Sequence, residues 1–107
     1  MAVSKAFLDM LIEMLAPLGT VTSRRMFGAA AIYCDGLVFA LVNDDELFFK
    51  ADTFTRQRFA DEGQNPFTYE GKSGTISLPY WQAPVRLFEE PDEMLTFARD
   101  ALAAKMG

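Results

Sequence analysis

The stretch Met26-Phe-Gly-Ala-Ala-Ala-Ile-Tyr-Cys-Asp-Gly-Leu-Val-Phe-Ala-Leu-Val42 decides how this chain folds. Two apolar runs, Ala29 to Cys34 and Leu37 to Val42, flank Asp35-Gly36, a dipeptide that accepts the positive φ angles of a type I′ turn. The runs are expected to form a tight antiparallel hairpin. Strict alternation in the second run sets Leu37, Phe39 and Leu41 on one face and Val38, Ala40 and Val42 on the other. Neither face is polar. The strand is therefore central with cover on both sides, or internal at an association surface.

Working outward, Ser4 is a suitable N-cap for a first helix whose apolar stripe is Phe7, Leu8, Leu11, Met14 and Leu15, and Pro17 and Gly19 end it. Val21-Thr-Ser-Arg-Arg25 reads as a polar approach to the hairpin, with Gly28 allowing a bend or bulge where the first long strand begins. After a polar connection at Asn43-Asp-Asp-Glu46, Leu47 to Ala51 is a third strand. Asp52 is placed to cap a short helix running to about Glu62, with Gly63 past its end and Phe54 and Phe59 as its buried contacts. A second hairpin follows: Phe67-Thr-Tyr69, a glycine-flanked turn over residues 70–74, and Thr75 to Tyr80 with Ile76, Leu78 and Tyr80 on one face. Pro79 cannot donate to a ladder, so this strand lies at an edge or pairs on one side only. Trp81 to Phe88 reads as a loop, and the last helix starts at Glu90-Pro-Asp-Glu93 and buries Met94, Phe97, Ala98, Ala101 and Leu102. The expected architecture is a two-layer α+β domain over residues 1–107, an antiparallel sheet with helices in the order α-β(3)-α-β(2)-α.

Composition excludes several classes. With 107 residues, half of them apolar and ten of them Phe, the chain can bury one continuous core, and disorder is not expected. A net charge of −5 sets its field against phosphate backbones and anionic membranes, so direct nucleic-acid binding is not expected. Cys34 is the single cysteine, which rules out an internal disulfide, and Asp9 and Glu13 interrupt the N-terminal apolar stretch where a signal peptide or membrane span would need continuity. A cytoplasmic location is expected, with no membrane partner.

The absence of histidine removes Ser-His-Asp and Cys-His catalysis and zinc sites built on His. Gly71-Lys72-Ser73 resembles the end of a phosphate-binding loop, yet Pro66 stands where that motif needs glycine and a strand follows where it needs a helix. It reads as a hairpin turn. Asp44-Asp45-Glu46 lacks the spaced ligands of a calcium loop. Asp35 beside Cys34 disfavours a thiolate. No catalytic, cofactor-binding or metal-ligating residue is assigned. Four residues remain as candidate interaction sites. Arg24 and Arg25 are an adjacent guanidinium pair able to hold a carboxylate or phosphate, and Tyr80 and Trp81 form an aromatic cluster of a type enriched at association hot spots but more often closing a core.

Arg25-Met26-Phe27-Gly28, Tyr33 with Asp35-Gly36, Phe39-Ala40, Leu47 with Lys50, Pro66-Phe67 with Tyr69, and Tyr80 with Pro84 together resemble the N-terminal domain of the TfoX/Sxy regulators of bacterial competence. The resemblance implies a secretion-chaperone-like α+β fold and a stand-alone counterpart of that domain. It also implies a non-enzymatic regulatory role, in a family that promotes transcription of DNA-uptake genes with the cyclic-AMP receptor protein. The resulting expectation is a homodimeric protein-interaction module with a partner in the transcription machinery. The alternative is a small-ligand-binding or enzymatic domain in which Arg24 and Arg25 converge with neighbouring Tyr or Asp side chains on a pocket.

Overall fold

Ser4 caps the first helix as its position suggests: the Phe7 amide donates to Ser4 Oγ at 3.1 Å, and α1 runs Lys5–Leu15 with Leu8, Leu11 and Leu15 buried. The structure, a computed structural model, describes residues 3–26 and 28–104. Phe27, one position of the Arg-Met-Phe-Gly motif, lies outside the described residues, as do residues 1–2 and 105–107. After α1 come β1 (Val21–Met26), β2 (Ala29–Cys34), β3 (Leu37–Asn43), β4 (Glu46–Lys50), α2 (Arg56–Asp61), β5 (Pro66–Gly71), β6 (Gly74–Gln82) and α3 (Pro91–Ala103). Short 3-10 turns at Ala16–Leu18 and Val85–Glu89 follow α1 and precede α3. The strands form one antiparallel sheet in the order β1-β2-β3-β4-β6-β5. Fold class and element order agree with the sequence reading. The sheet gains a strand because residues 21–25, expected only as an approach, pair together with Met26 along their whole length with β2 at its edge.

The central hairpin turns where expected, with Asp35 at φ 52° and Gly36 at φ 85°, so Cys34 stands opposite Leu37. The next turn uses the same conformation without glycine: Asp44 and Asp45 both have φ 57°, and Asp45 accepts the Ser4 amide at 2.9 Å, tying the start of α1 to the β3–β4 turn. Alternation along β3 is broken. Ile32 pairs with Ala40 and Tyr33 with Val38, which leaves Phe39 as the extra residue of a β-bulge. Phe39, Ala40 and Val42 consequently all enter the core, and the even division expected for residues 37–42 does not hold.

The core is one cluster. It joins β-residues such as Ile32, Phe39, Val42 and Phe49 to α1, to Phe59 of α2, to Leu87 and to Met94, Phe97 and Ala101 of α3. Phe39 stacks on Phe49 at 6.4 Å, and the Phe59 ring meets Phe97 edge-on at 5.5 Å. Among the described residues every helical segment packs into this cluster, so the helices cover one face of the sheet and leave the other bare.

The second helix differs from expectation at its start. Asp52 accepts the amides of Phe54 and Thr55, each at 2.9 Å, closing a turn over residues 53–55 before α2 begins at Arg56. That turn throws Phe54 outward, 90% exposed, whereas Phe59 is buried as expected. Gly63, at φ 78°, ends the helix in the left-handed conformation foreseen for it. Pro79 lies at the end of the β4 pairing: with no N–H to give, it accepts the Ala51 amide at 2.9 Å through its carbonyl, and further out residues 74–77 of β6 pair with β5 alone. The strand is internal at one end and one-sided at the other, and β6 runs through Trp81 and Gln82, part of the stretch read as a loop.

Arg86 clamps the helical layer, reaching Glu62 and Glu93 at 2.7 Å and Glu90 at 3.2 Å, while Arg58 pairs with Asp100 and lies 4.5 Å over the Phe97 ring. Hydrogen bonds from Arg86 hold the Glu62 and Glu93 carboxyls below the usual carboxylate range. Carboxyls depressed in the folded state stabilise it above their unfolded pKa, and that contribution disappears as pH falls through the folded value. The urea midpoint of the wild-type chain should therefore drop on acidification, and Arg86→Ala should start from a lower midpoint near neutrality and show a shallower drop. Phe39→Ala should cost about 3–5 kcal/mol in the same assay because it empties fully buried volume, while Phe54→Ala should stay within roughly 0.5 kcal/mol of wild type.

Candidate interaction face

On a strand, neighbours in sequence point to opposite faces, and this separates the residues picked from the sequence. Arg25 turns to the helix side, where its Nη1 donates to the Val3 carbonyl at 2.6 Å. Arg24, opposite Ala31, turns to the bare face and borders an open depression of about 330 Å³ with Thr22, Tyr33 and Gly36. The two guanidiniums do not meet, and no pocket forms between them. Tyr80 and Trp81 divide likewise: Trp81 stacks on Phe59 at 6.5 Å at the core, whereas Tyr80 stands opposite Lys50 on the bare face. A larger open depression of about 420 Å³ lies between the start of α2 and β6, bordered by Asp52, Arg56, Pro79 and Trp81.

The Cys34 thiol is pushed up by burial first and then by the Asp35 carboxylate, whose Oδ2 lies 3.9 Å from Sγ. That environment opposes thiolate formation, so Cys34 is not an activated nucleophile. Among the described residues no group of three or more acidic or thiol side chains is placed to hold a metal ion, and no helix is long and apolar enough to cross a membrane.

What the strand register does assemble is the bare face itself. Its side chains fall into three rows running across the strands. Met26, Ala29, Asn43 and Glu46 form the first; Arg24, Ala31, Leu41, Phe48 and Gln82 the second; and the third, interrupted between β3 and β4 by the bulge at Phe39, is Thr22, Tyr33 and Val38 on one side and Lys50 and Tyr80 on the other. The middle of this lattice is apolar, with the Phe48 ring edge-on to Phe67 at 5.1 Å. Two charged residues of β4 stand at opposite ends of the apolar centre. Glu46 accepts a hydrogen bond from Gln82 Nε2 at 3.1 Å and makes no ion pair with a described residue. Lys50 is only 7% exposed, and no described residue forms a hydrogen bond or ion pair with it. Burial pushes the Tyr80 phenol up, with a smaller push from Tyr33, which places the two tyrosines within electrostatic reach of each other.

Glu46 and Lys50 were not among the residues picked from the sequence. The available signal was the run Glu46-Leu-Phe-Phe-Lys50, in which opposite charges two steps either side of Phe48 share its face once the chain is extended.

Residues 13–105 match the TfoX N-terminal domain. Protein Sxy of Escherichia coli (strain K12) is 28% identical over 94 residues, a match that covers 88% of this chain and 45% of Sxy. The chain thus spans less than half the length of that relative. With the family's model covering nearly all of a chain whose sheet and helices follow the order its motifs implied, this protein belongs to the TfoX N-terminal domain family.

Proposed function

We propose that this chain is a non-enzymatic protein-interaction domain that works as a cytoplasmic homodimer in the transcriptional regulation of competence or DNA-uptake genes. One observation carries the interaction reading: a six-stranded sheet has all its described helices on one side, and the other side presents exposed Met26 and half-buried Val38 and Leu41 beside Phe48, which Phe67 covers, with no described helix over them. Contiguous apolar surface of this kind marks an association site. Family membership and the likeness to Sxy support the regulatory setting. Self-association through the bare face leaves Arg24 at its rim and the outer part of the β5–β6 hairpin for a partner in the transcription machinery. The ligand-binding alternative loses its basis, because Arg24 and Arg25 point to opposite sides of the sheet.

Light scattering coupled to size-exclusion chromatography should give twice the chain mass, and Leu41→Glu should halve it without altering the circular dichroism spectrum. Immobilised wild-type protein should retain RNA polymerase or the cyclic-AMP receptor protein. A chain that stays monomeric at every concentration and retains neither protein would sink the reading, and salt-sensitive binding to duplex DNA alone would replace it with a DNA-binding one.

A further inference from the structure

Arg24 at the sheet edge aside, two charges on the bare face, Glu46 and Lys50, have no ion-pair partner among the described residues, and self-association through that face, on which this inference rests, has to satisfy both. Lys50 is only 7% exposed, yet no buried side-chain nitrogen among the described residues lacks a partner, so its unpaired ammonium reaches the surface while its stem is covered. Its stem is covered by the face, so its ammonium has a single direction in which to find an anion, outward from the sheet. Glu46 lies four residues away on the same strand and the same face, roughly 13 Å at strand spacing. It borders an open depression of about 280 Å³ together with Phe48, Phe67 and Gln82, and no cation of the described chain enters it.

The two charges are therefore arranged as a self-complementary pattern about Phe48. Consider a half-turn about an axis that lies between two sheets along the Leu41–Phe48 row. It stacks each strand on its own copy running in reverse and places the first row of one copy over the third row of the other. Glu46 then faces Lys50 of the second copy, twice over. Small Ala29 comes opposite large Tyr33, and Leu41 and Phe48 meet their own copies on the axis. An axis parallel to the strands would instead set Glu46 against Glu46 and Lys50 against Lys50. Packed sheets also sit at about 30° to each other, which opens the stack at β1 and leaves the two Arg24 side chains in water at the rim.

We propose that two copies of this chain pack sheet to sheet about a two-fold axis along the Leu41–Phe48 row, with Lys50 of each copy paired to Glu46 of the other. The apolar centre supplies the association energy and the paired charges fix its orientation.

Sedimentation equilibrium of the full chain tests this with Glu46→Lys, Lys50→Glu and the double exchange, each checked for native circular dichroism. Either single change sets like charges together at two places and should raise the dimer dissociation constant by about 100-fold or more. The double exchange should recover dimerisation to within about tenfold of wild type. Mixing the two single variants should also restore it, because each mixed dimer holds two opposite-charge pairs. Should Lys50→Glu not fold, Glu46→Lys, at an exposed position, still decides the matter against wild type. A wild-type dimer that Glu46→Lys leaves as tight as before, or single variants that neither the double exchange nor mixing rescues, would overturn the pairing while self-association stands. A wild-type chain that remains monomeric would overturn both.

Discussion

The register of β2 against β3 is the constraint on which this structure depends. The Asp35-Gly36 turn pins Cys34 opposite Leu37, and two residues after Leu37 the bulge at Phe39 shifts the partners by one. With unbroken alternation Phe39 and Val42 would point to opposite sides. The extra residue instead sends both to the helix layer, where Phe39 stacks on Phe49, and keeps Val38 beside Tyr33 on the bare side. Core and bare face are thus two outcomes of one insertion.

How much of this was legible depends on the range of each signal. The Ser4 cap, the Asp35-Gly36 turn, the left-handed Gly63 and the start of α3 at Pro91 were readable because each is decided by a few adjacent residues. β1 was not, since an edge strand with one exposed side needs no apolar alternation, and Val21-Thr-Ser-Arg-Arg25 shows none. Recognising that strand would have shown at once that Arg24 and Arg25 cannot converge. Phe54 was misjudged for another reason. An aromatic ring beside a helix start looks like a core residue, but the Asp52 turn delays the helix by a few residues and rotates Phe54 into water. Nor could the sequence single out Lys50, whose meaning depends on which side of the sheet the helices occupy.

Net charge proves a poor guide to any one surface. Many of the acids behind the −5 sit in the helical layer, where Arg58 and Arg86 gather Glu62, Glu90, Glu93 and Asp100. Those contacts join α2 and the 3-10 turn after β6 to α3, and they are far from neutral in purpose: they use exposed charges to hold helices in register over Phe97, a ring that also takes both guanidiniums on its face. The bare side carries few charges by comparison, Arg24, Glu46 and Lys50 among them.

The outer part of the β5–β6 hairpin has a different consequence. Over residues 74–77, beyond the Pro79 carbonyl that accepts from Ala51, β6 is held by β5 alone, and Tyr69 and Ile76 near the end stay exposed. The Lys72-Ser73 tip contributes nothing to the core cluster. A spur built this way can be lengthened, shortened or recoded without disturbing the domain that carries it, which makes it the part of the chain where new recognition can be acquired at least structural cost.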